Sequence, residues 1–390
     1  MTYSRRSGLP GRDMPISMLR PPHRLERLRS WMDDEHVDCT VVFGADNVNH
    51  LCGYWRYYGG PSALVVGRDG ELTLTVMLDE APIARELSRA DQVLGYGERG
   101  FGINLDPVAD LIGAVAGIPV VAHASRMAVS SELPGADVRL AAAVSGEPVD
   151  ASGALYRIRL IKDWDELERI NSSYELCWLA QETVARSAIA EASEIELFTA
   201  AQSTAQIASG GPIEFLCDLL SGPNTAEVCC PIHVAGTRAL EPSDPVVADI
   251  VVRTGGYWGD TAETHVAGTN PEVEEARTAL LEILEQARQE LIPGATGAEM
   301  FANMHARITA ALPGAEFPHH GGHALGLTSF EDPHLIPSDM TPLEPWMVLA
   351  VEPGAYVAGR YGARVENVFV VTPDGGVELR AALSGGLIGS

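Results

Sequence analysis

Short apolar runs and segments of helical period alternate along the chain, and their order differs between its two halves. Leu25 to Met32 carries apolar positions at helical spacing and predicts an amphipathic helix. Cys39-Thr-Val-Val-Phe43 is a continuous apolar run suited to a buried strand. Ala63-Leu-Val-Val66 and Leu72-Thr-Leu-Thr-Val76 flank Gly67-Arg-Asp-Gly70, the signature of a hairpin. Leu111 to Val115 reads as helix, and Pro119 to Ala122 as a further strand with proline at its start. Tyr156 to Lys162 then leads into a long helical segment that begins at Asp163 and reaches about Ala192. Another helix opens at Glu194 and stops at Gly210-Gly211. From Pro231 the pattern turns to strands and hairpins. Helices over Pro271–Leu291, ended by Pro293-Gly294, and over Ala298–Leu312 interrupt it. The expected class is α+β. Residues 1–20, rich in Arg, Pro, Gly and Ser, form an arm; 21–152 form a mixed α/β domain; 153–390 form a second domain.

A chain of 390 residues with 46% hydrophobic content is long enough for two cores. No apolar stretch approaches the roughly 18 residues of a membrane span, and no apolar run follows the basic N-terminus. The formal charge of −26 repels phosphate backbones and anionic lipids, which argues against nucleic-acid or membrane partners. The six cysteines form no CxxC and match no zinc spacing, so they are expected as reduced thiols in the cytoplasm.

Three features carry chemistry. In Asp249-Ile-Val-Val-Arg-Thr-Gly-Gly-Tyr-Trp-Gly-Asp260, a two-residue loop at Thr254-Gly255 would set the two aspartates directly opposite each other. Carboxylates that close repel, and a divalent cation would offset the repulsion; two solvated strand-end aspartates are the plainer alternative. Glu352 and Glu366 each lie inside an apolar run, so each needs a partner, either a metal or Arg360 or Arg364. Pro318-His-His-Gly-Gly-His-Ala-Leu-Gly-Leu327 offers imidazoles beside glycines that let the backbone come close to a site.

In this order, D-x10-D, GGHALGL, VEPG and RVEN resemble the ligand motifs of the pita-bread metallohydrolases. That family includes methionine aminopeptidase, Xaa-Pro dipeptidase (prolidase), aminopeptidase P and the metal-free creatinase. The resemblance implies that Asp249, Asp260, His323, Glu352 and Glu366 bind two divalent ions, with manganese first and cobalt, zinc or iron as alternatives. It implies that Glu352 also shuttles a proton, and that His233 is a catalytic hydrogen-bonding group. His319, Phe330 and Arg364 fall where family members meet substrate. Arg24-Leu-Glu-Arg-Leu-Arg29 and Asn49-His-Leu-Cys-Gly53 are similar to the start of the prolidase/creatinase N-terminal domain, which methionine aminopeptidases lack. The implied protein is a homodimeric hydrolase that cleaves a C–N amide bond in a small peptide.

Two departures qualify that expectation. The family's peptidases carry a second histidine seven residues after the ligand, and here that position is Phe330. A phenyl ring neither donates a hydrogen bond nor moves a proton, so His319, His320 or His334 compensates, or the substrate is not an ordinary Xaa-Pro peptide. The alternative is therefore a specialised non-peptidase of the same fold, acting on a small metabolite. Trp346 also stands where glycine is usual, and could narrow the pocket or simply pack. Gly53-Tyr-Trp-Arg-Tyr-Tyr-Gly-Gly60 is an aromatic loop that either packs locally or, as in creatinase-like dimers, reaches the partner's pocket.

Overall fold

The computed structural model describes residues 23–99, 105–227 and 235–380. The N-terminal unit runs α1 (Arg24–Asp34), β1 (Cys39–Phe43), α2 (Ala45–Cys52), β2 (Ala63–Gly67), β3 (Leu72–Met77), α3 (Ala81–Leu87) and β4 (Gln92–Tyr96). It continues with α4 (Pro107–Ala116), α5 (Pro119–Ala122), β5 (Arg126–Ser131), α6 (Ala136–Ala143), β6 (Glu147–Asp150) and α7 (Ser152–Leu160). The six strands form one mixed sheet in the order β4-β3-β2-β1-β5-β6. Successive side chains of a strand face opposite ways. Val42, Leu64 and Leu74 therefore pack under α1, α2 and α7, while Val41, Phe43 and Val65 pack under α4 and α6. Burial on both faces explains why these strands read as unbroken apolar runs.

Residues 119–122 are a helical turn, not the strand that their apolar run suggested. Proline favours the first turn of a helix, where its missing N–H costs nothing. The sheet position beside β1 belongs to β5, which pairs parallel with it.

The second unit begins with α8 (Trp164–Ser187), whose first turn closes in a capping box between Asp163 and Glu166. Next come α9 (Glu194–Ser209), β7 (Glu214–Ser221), α10 (Asn224–Glu227), β8 (Pro245–Thr254) and β9 (Tyr257–Val266). Helices α11 (Pro271–Glu290) and α12 (Gly297–Ala311) precede β10 (Gly322–Ala324) and β11 (Glu331–His334). The last strands are β12 (Val348–Val351), β13 (Gly354–Val357), β14 (Tyr361–Arg364), β15 (Asn367–Thr372) and β16 (Gly375–Glu378). Strands β7-β8-β9 make one antiparallel sheet and β11-β10-β12-β15-β16 another, with β13-β14 as a separate hairpin.

Alternation sets which side chains reach the space between these sheets. On β8, Val246, Ala248, Ile250 and Val252 are buried in a cluster with Cys177, Val184, Leu197 and Ala201 of α8 and α9. Asp249 occupies the opposite face. In the second sheet, Leu349, Val351 and Phe369 pack with Leu280, Ile283 and Met304 of α11 and α12, while Val348, Ala350 and Val368 pack with Ile170 and Tyr174 of α8. The sheets are joined where the Glu366 N–H donates to the Ala262 carbonyl at 2.8 Å and the Arg364 N–H to Thr264 Oγ1 at 2.8 Å.

The β8–β9 register differs from the one expected. Thr254 pairs with Tyr257, Asp249 with Ala262 and Val251 with Asp260, so the two aspartates are diagonal rather than opposite. The turn is Gly255-Gly256, with φ of 57° and 82°. A two-residue hairpin turn of this hand needs positive φ at both central positions, which two glycines accept and a β-branched threonine resists. The shift is by two residues, so both carboxylates keep the same face.

Trp346 sits at φ 72°, a conformation open to glycine at no steric cost. Its ring packs with the cluster around Leu167, Leu325 and Val348.

The helix layer behind the second sheet should carry much of the stability of this half. Leu280→Ala, at a fully buried position, should cost about 2–5 kcal/mol in urea denaturation. A change within a few tenths of a kcal/mol would contradict this packing.

Candidate metal centre

Five side chains from the two sheets converge. Asp260, His323 and Glu366 each place a ligand atom within 4.8 Å of one another, and so do Asp249, Glu352 and Glu366. Glu366 belongs to both groups, which is the arrangement expected of a carboxylate shared by two ions. Asp260, His323, Glu352 and Glu366 are buried, and Asp249 is nearly so.

The imidazole of His323 has a defined tautomer. Its Nδ1–H donates to the Ala324 carbonyl at 3.0 Å, leaving Nε2 with a lone pair. That lone pair lies 3.7 Å from Asp260 Oδ2 and 3.9 Å from Glu352 Oε1. Acceptors facing acceptors at this range need a positive charge between them. Asp260 Oδ1 and both carboxylate oxygens of Glu366 are buried without a hydrogen-bond partner among the described residues. Oxygens left bare in this way are costly unless a cation meets them. The donor set therefore fits divalent cations.

Electrostatics point the same way. Burial, then the charges of Asp249 and Glu352, raise Asp260 well above the usual aspartate range. Burial and Asp260 do the same to Glu366. Burial also raises Asp249 to about 6, against the pull of Arg364. Glu352 goes the other way: burial opposes its charge, but the hydrogen bond and charge of His320, with His319 and Arg364, hold it near 2. His323 is lowered to about 4 by burial and stays neutral.

A second layer holds the carboxylates. The Arg364 guanidinium donates from Nη1 to Asp249 and from Nε to the Tyr356 hydroxyl at 3.0 Å. That hydroxyl donates in turn to Nε2 of His319 at 3.0 Å, whose Nδ1–H meets the His320 carbonyl at 2.7 Å. Gly354 is required by close approach, because a Cβ there would stand 2.6 Å from His319 Nε2 and 2.9 Å from the Tyr356 hydroxyl. Tyr356 went unnoticed in the sequence, although the hairpin turn that follows it places its side chain diagonally across from Arg364 on one face. His320 Nδ1 lies 3.0 Å from Glu352 Oε1.

Phe330 is about half exposed, and its ring stacks on His323 with centroids 4.1 Å apart. It meets His320 edge-on at 5.7 Å. His334 turns instead to Asp332, at 2.9 Å. Glu352 is approached by Arg364 at 3.9 Å, whereas Arg360 pairs with Glu272. His233 lies outside the described residues.

Among the described residues, two other groups of ligand-type residues lack this deficit. Around His23, the carboxylates of Asp163 and Asp165 are already neutralised by Arg24, with Arg27 adding to Asp163. Near His334, Asp332 accepts from Tyr156 at 2.7 Å, and Asp339 accepts from the backbone of His334 and Thr341.

Comparison with known proteins finds relatives for both units of the chain. Residues 168–373, more than half of the chain, match Metallopeptidase family M24, and residues 24–161 match the Creatinase/Prolidase N-terminal domain. A probable dipeptidase PepE of Mycobacterium tuberculosis is 29% identical over 279 residues, spanning 70% of this chain and 72% of the relative. The Xaa-Pro dipeptidase of Pyrococcus furiosus is 25% identical over 357 residues, covering 91% and 97% of the two chains. The crystal structure of the prolidase from Pyrococcus horikoshii OT3 superposes with a TM-score of 0.75 at 23% identity, over 91% of this chain and 97% of that one.

Asp249 gives a pH signature. Its pKa rises from 3.8 unfolded to about 6 folded. Between those values the folded state keeps a proton that the unfolded state has released. Its contribution to stability is therefore full below about 3.8 and lost as pH rises toward 6. Thermal melts of metal-stripped protein should show Asp249→Asn gaining on the wild type as pH rises through that window. A constant difference across the window would contradict this assignment.

Proposed function

This chain belongs to metallopeptidase family M24, and on that premise we propose that it is an Xaa-Pro dipeptidase-type enzyme that hydrolyses the amide bond of small peptides. The observation that carries the proposal is the pair of overlapping, cation-deficient ligand groups sharing Glu366. The named dipeptidase and prolidase relatives favour a peptide over another amide.

Asp249, Asp260, His323, Glu352 and Glu366 are the proposed ligands of two divalent ions. Oxygen donors with one nitrogen suit manganese, with cobalt, zinc or iron as alternatives. Such ions supply Lewis acidity toward the scissile carbonyl and the attacking water.

The chain's own groups do the rest. Glu352 is the proposed proton carrier: its carboxylate takes a proton from the attacking water and delivers it to the departing nitrogen. Its ionised state, favoured by His320 and Arg364, suits the first of these steps. Arg364, His319 and Tyr356 keep Asp249 in place, and Arg364 and His319 would also meet the substrate. His233 would donate a hydrogen bond to the substrate carbonyl. Phe330 would offer the substrate a carbon surface where an imidazole is usual, which leaves proton transfer to Glu352.

We also propose a homodimer in the cytoplasm. The described cysteines, Cys39, Cys52, Cys177 and Cys217, are buried free thiols, as a reducing compartment favours. Among the described residues, no helix is long and apolar enough to cross a membrane.

The test is hydrolysis of Xaa-Pro dipeptides by the manganese- or cobalt-loaded protein. Turnover is expected, with Glu352→Gln lowering kcat at least about 100-fold, the scale of a lost general acid–base group. Bound metal without turnover on any dipeptide would favour the small-metabolite alternative that Phe330 raises.

A further inference from the structure

The aromatic segment after α2 is the sequence feature the metal centre does not absorb, and its contacts lead to the tip of the β8–β9 hairpin. That hairpin carries Asp249 and Asp260. We propose that Asn49 and Trp55 are positioning residues that grip the hairpin tip and thereby set the affinity of the centre for divalent cations. The inference rests on the reading of the five-residue cluster as a metal site.

The tip is held from two sides. From the N-terminal unit, Asn49 Nδ2 donates to the Gly255 carbonyl at 3.2 Å. Asn49 is fully buried, and its Oδ1 accepts from Arg169 Nη1 of α8 at 2.9 Å, so the amide is locked at both ends. The Trp55 ring covers Gly256 closely enough that a Cβ there would lie 2.6 Å from its Cδ1. The guanidinium of Arg253, at the end of β8, lies over Trp55 at 5.8 Å and over Trp258 at 5.5 Å. It also pairs with Asp46 of α2, and with Glu214 at 3.2 Å. From the opposite side, Ser173 Oγ of α8 accepts from the Thr254 N–H at 3.1 Å and donates to the Tyr257 carbonyl at 2.8 Å.

Strand β9 is the edge strand of the β7-β8-β9 sheet, so its pairing comes from β8 and contacts at the turn bear on its path. Asp260 lies four residues beyond the turn, on the strand whose first residues are clamped. Among the described residues, no hydrogen bond holds its Oδ1. The side chain's direction thus follows the strand, which β8 pairs along its length and the clamp holds at its turn end. Outer contacts that orient ligands commonly change metal affinity by roughly 10- to 100-fold when removed.

The test is calorimetric titration of Mn2+ into the metal-stripped, full-length protein. Wild-type protein that takes up no Mn2+ would defeat the metal reading itself. With wild-type uptake in hand, Trp55→Ala and Asn49→Ala should each weaken binding by about 10-fold. Trp55→Phe, which keeps a ring over Gly256, should recover most of the loss. The Co2+-loaded variants should show an altered visible spectrum, because the ligand geometry has moved. Affinity and spectrum like the wild type in a folded Trp55→Ala, even with a lower melting temperature, would overturn the proposal. Should Trp55→Ala fail to fold, Asn49→Ala decides: unchanged affinity there overturns it equally.

Discussion

Carboxylates gathered in a buried interior repel one another, and in this protein that repulsion organises the catalytic half. Asp249, Asp260, Glu352 and Glu366 surround one imidazole whose unprotonated nitrogen faces two of them. Removing such groups from water is expensive, and only a compensating positive charge makes the arrangement favourable. Arg364 supplies part of it, to Asp249 and at longer range to Glu352. Among the described residues, Asp260 and Glu366 receive no comparable partner at their bare oxygens. The deficit is greatest at the carboxylates common to the two ligand groups or beside His323, where divalent ions would sit.

The fold answers this constraint with rigidity. Each strand that carries or adjoins a candidate ligand is buried on its far face by helices, α8 and α9 behind the first sheet and α11 and α12 behind the second. Alternation then leaves every second residue facing the centre. The chain from Arg364 through Tyr356 to His319 ties Asp249 to the backbone of the histidine segment. The N-terminal unit adds its own hold through Asn49 and Trp55, so the two units contribute to one centre rather than standing apart.

Much of this was legible in the sequence. The candidate ligands stand in motifs whose order and spacing are specific, and the strands around them show plain apolar runs. What misled was local. Thr254-Gly255-Gly256 allows two hairpin registers, and only the demand for positive φ at both turn positions selects Gly255-Gly256. Val120 and Val121 suggested strand, but the preceding Pro119 suits a helical first turn, and β5 occupies the sheet. Tyr356 was invisible because its importance lies in what its hydroxyl meets across a hairpin, which no linear spacing reports. Trp55 could be recognised as part of an aromatic cluster, but not as a lid over Gly256, more than two hundred residues later.

Phe330 remains the position where this centre differs from the pattern its motifs resemble. It stacks on His323, the proposed nitrogen ligand, and on the proposed reading it leaves the acid–base chemistry to Glu352. All of this depends on the cluster binding cations. The most direct measurement is the manganese content of the chain after equilibrium dialysis against a slight excess of Mn2+, read by elemental analysis. The account predicts two ions per wild-type chain and a loss of binding in Glu366→Gln, whose carboxylate serves both ligand groups. A wild-type chain that retains no manganese, cobalt, zinc or iron under such loading would contradict it.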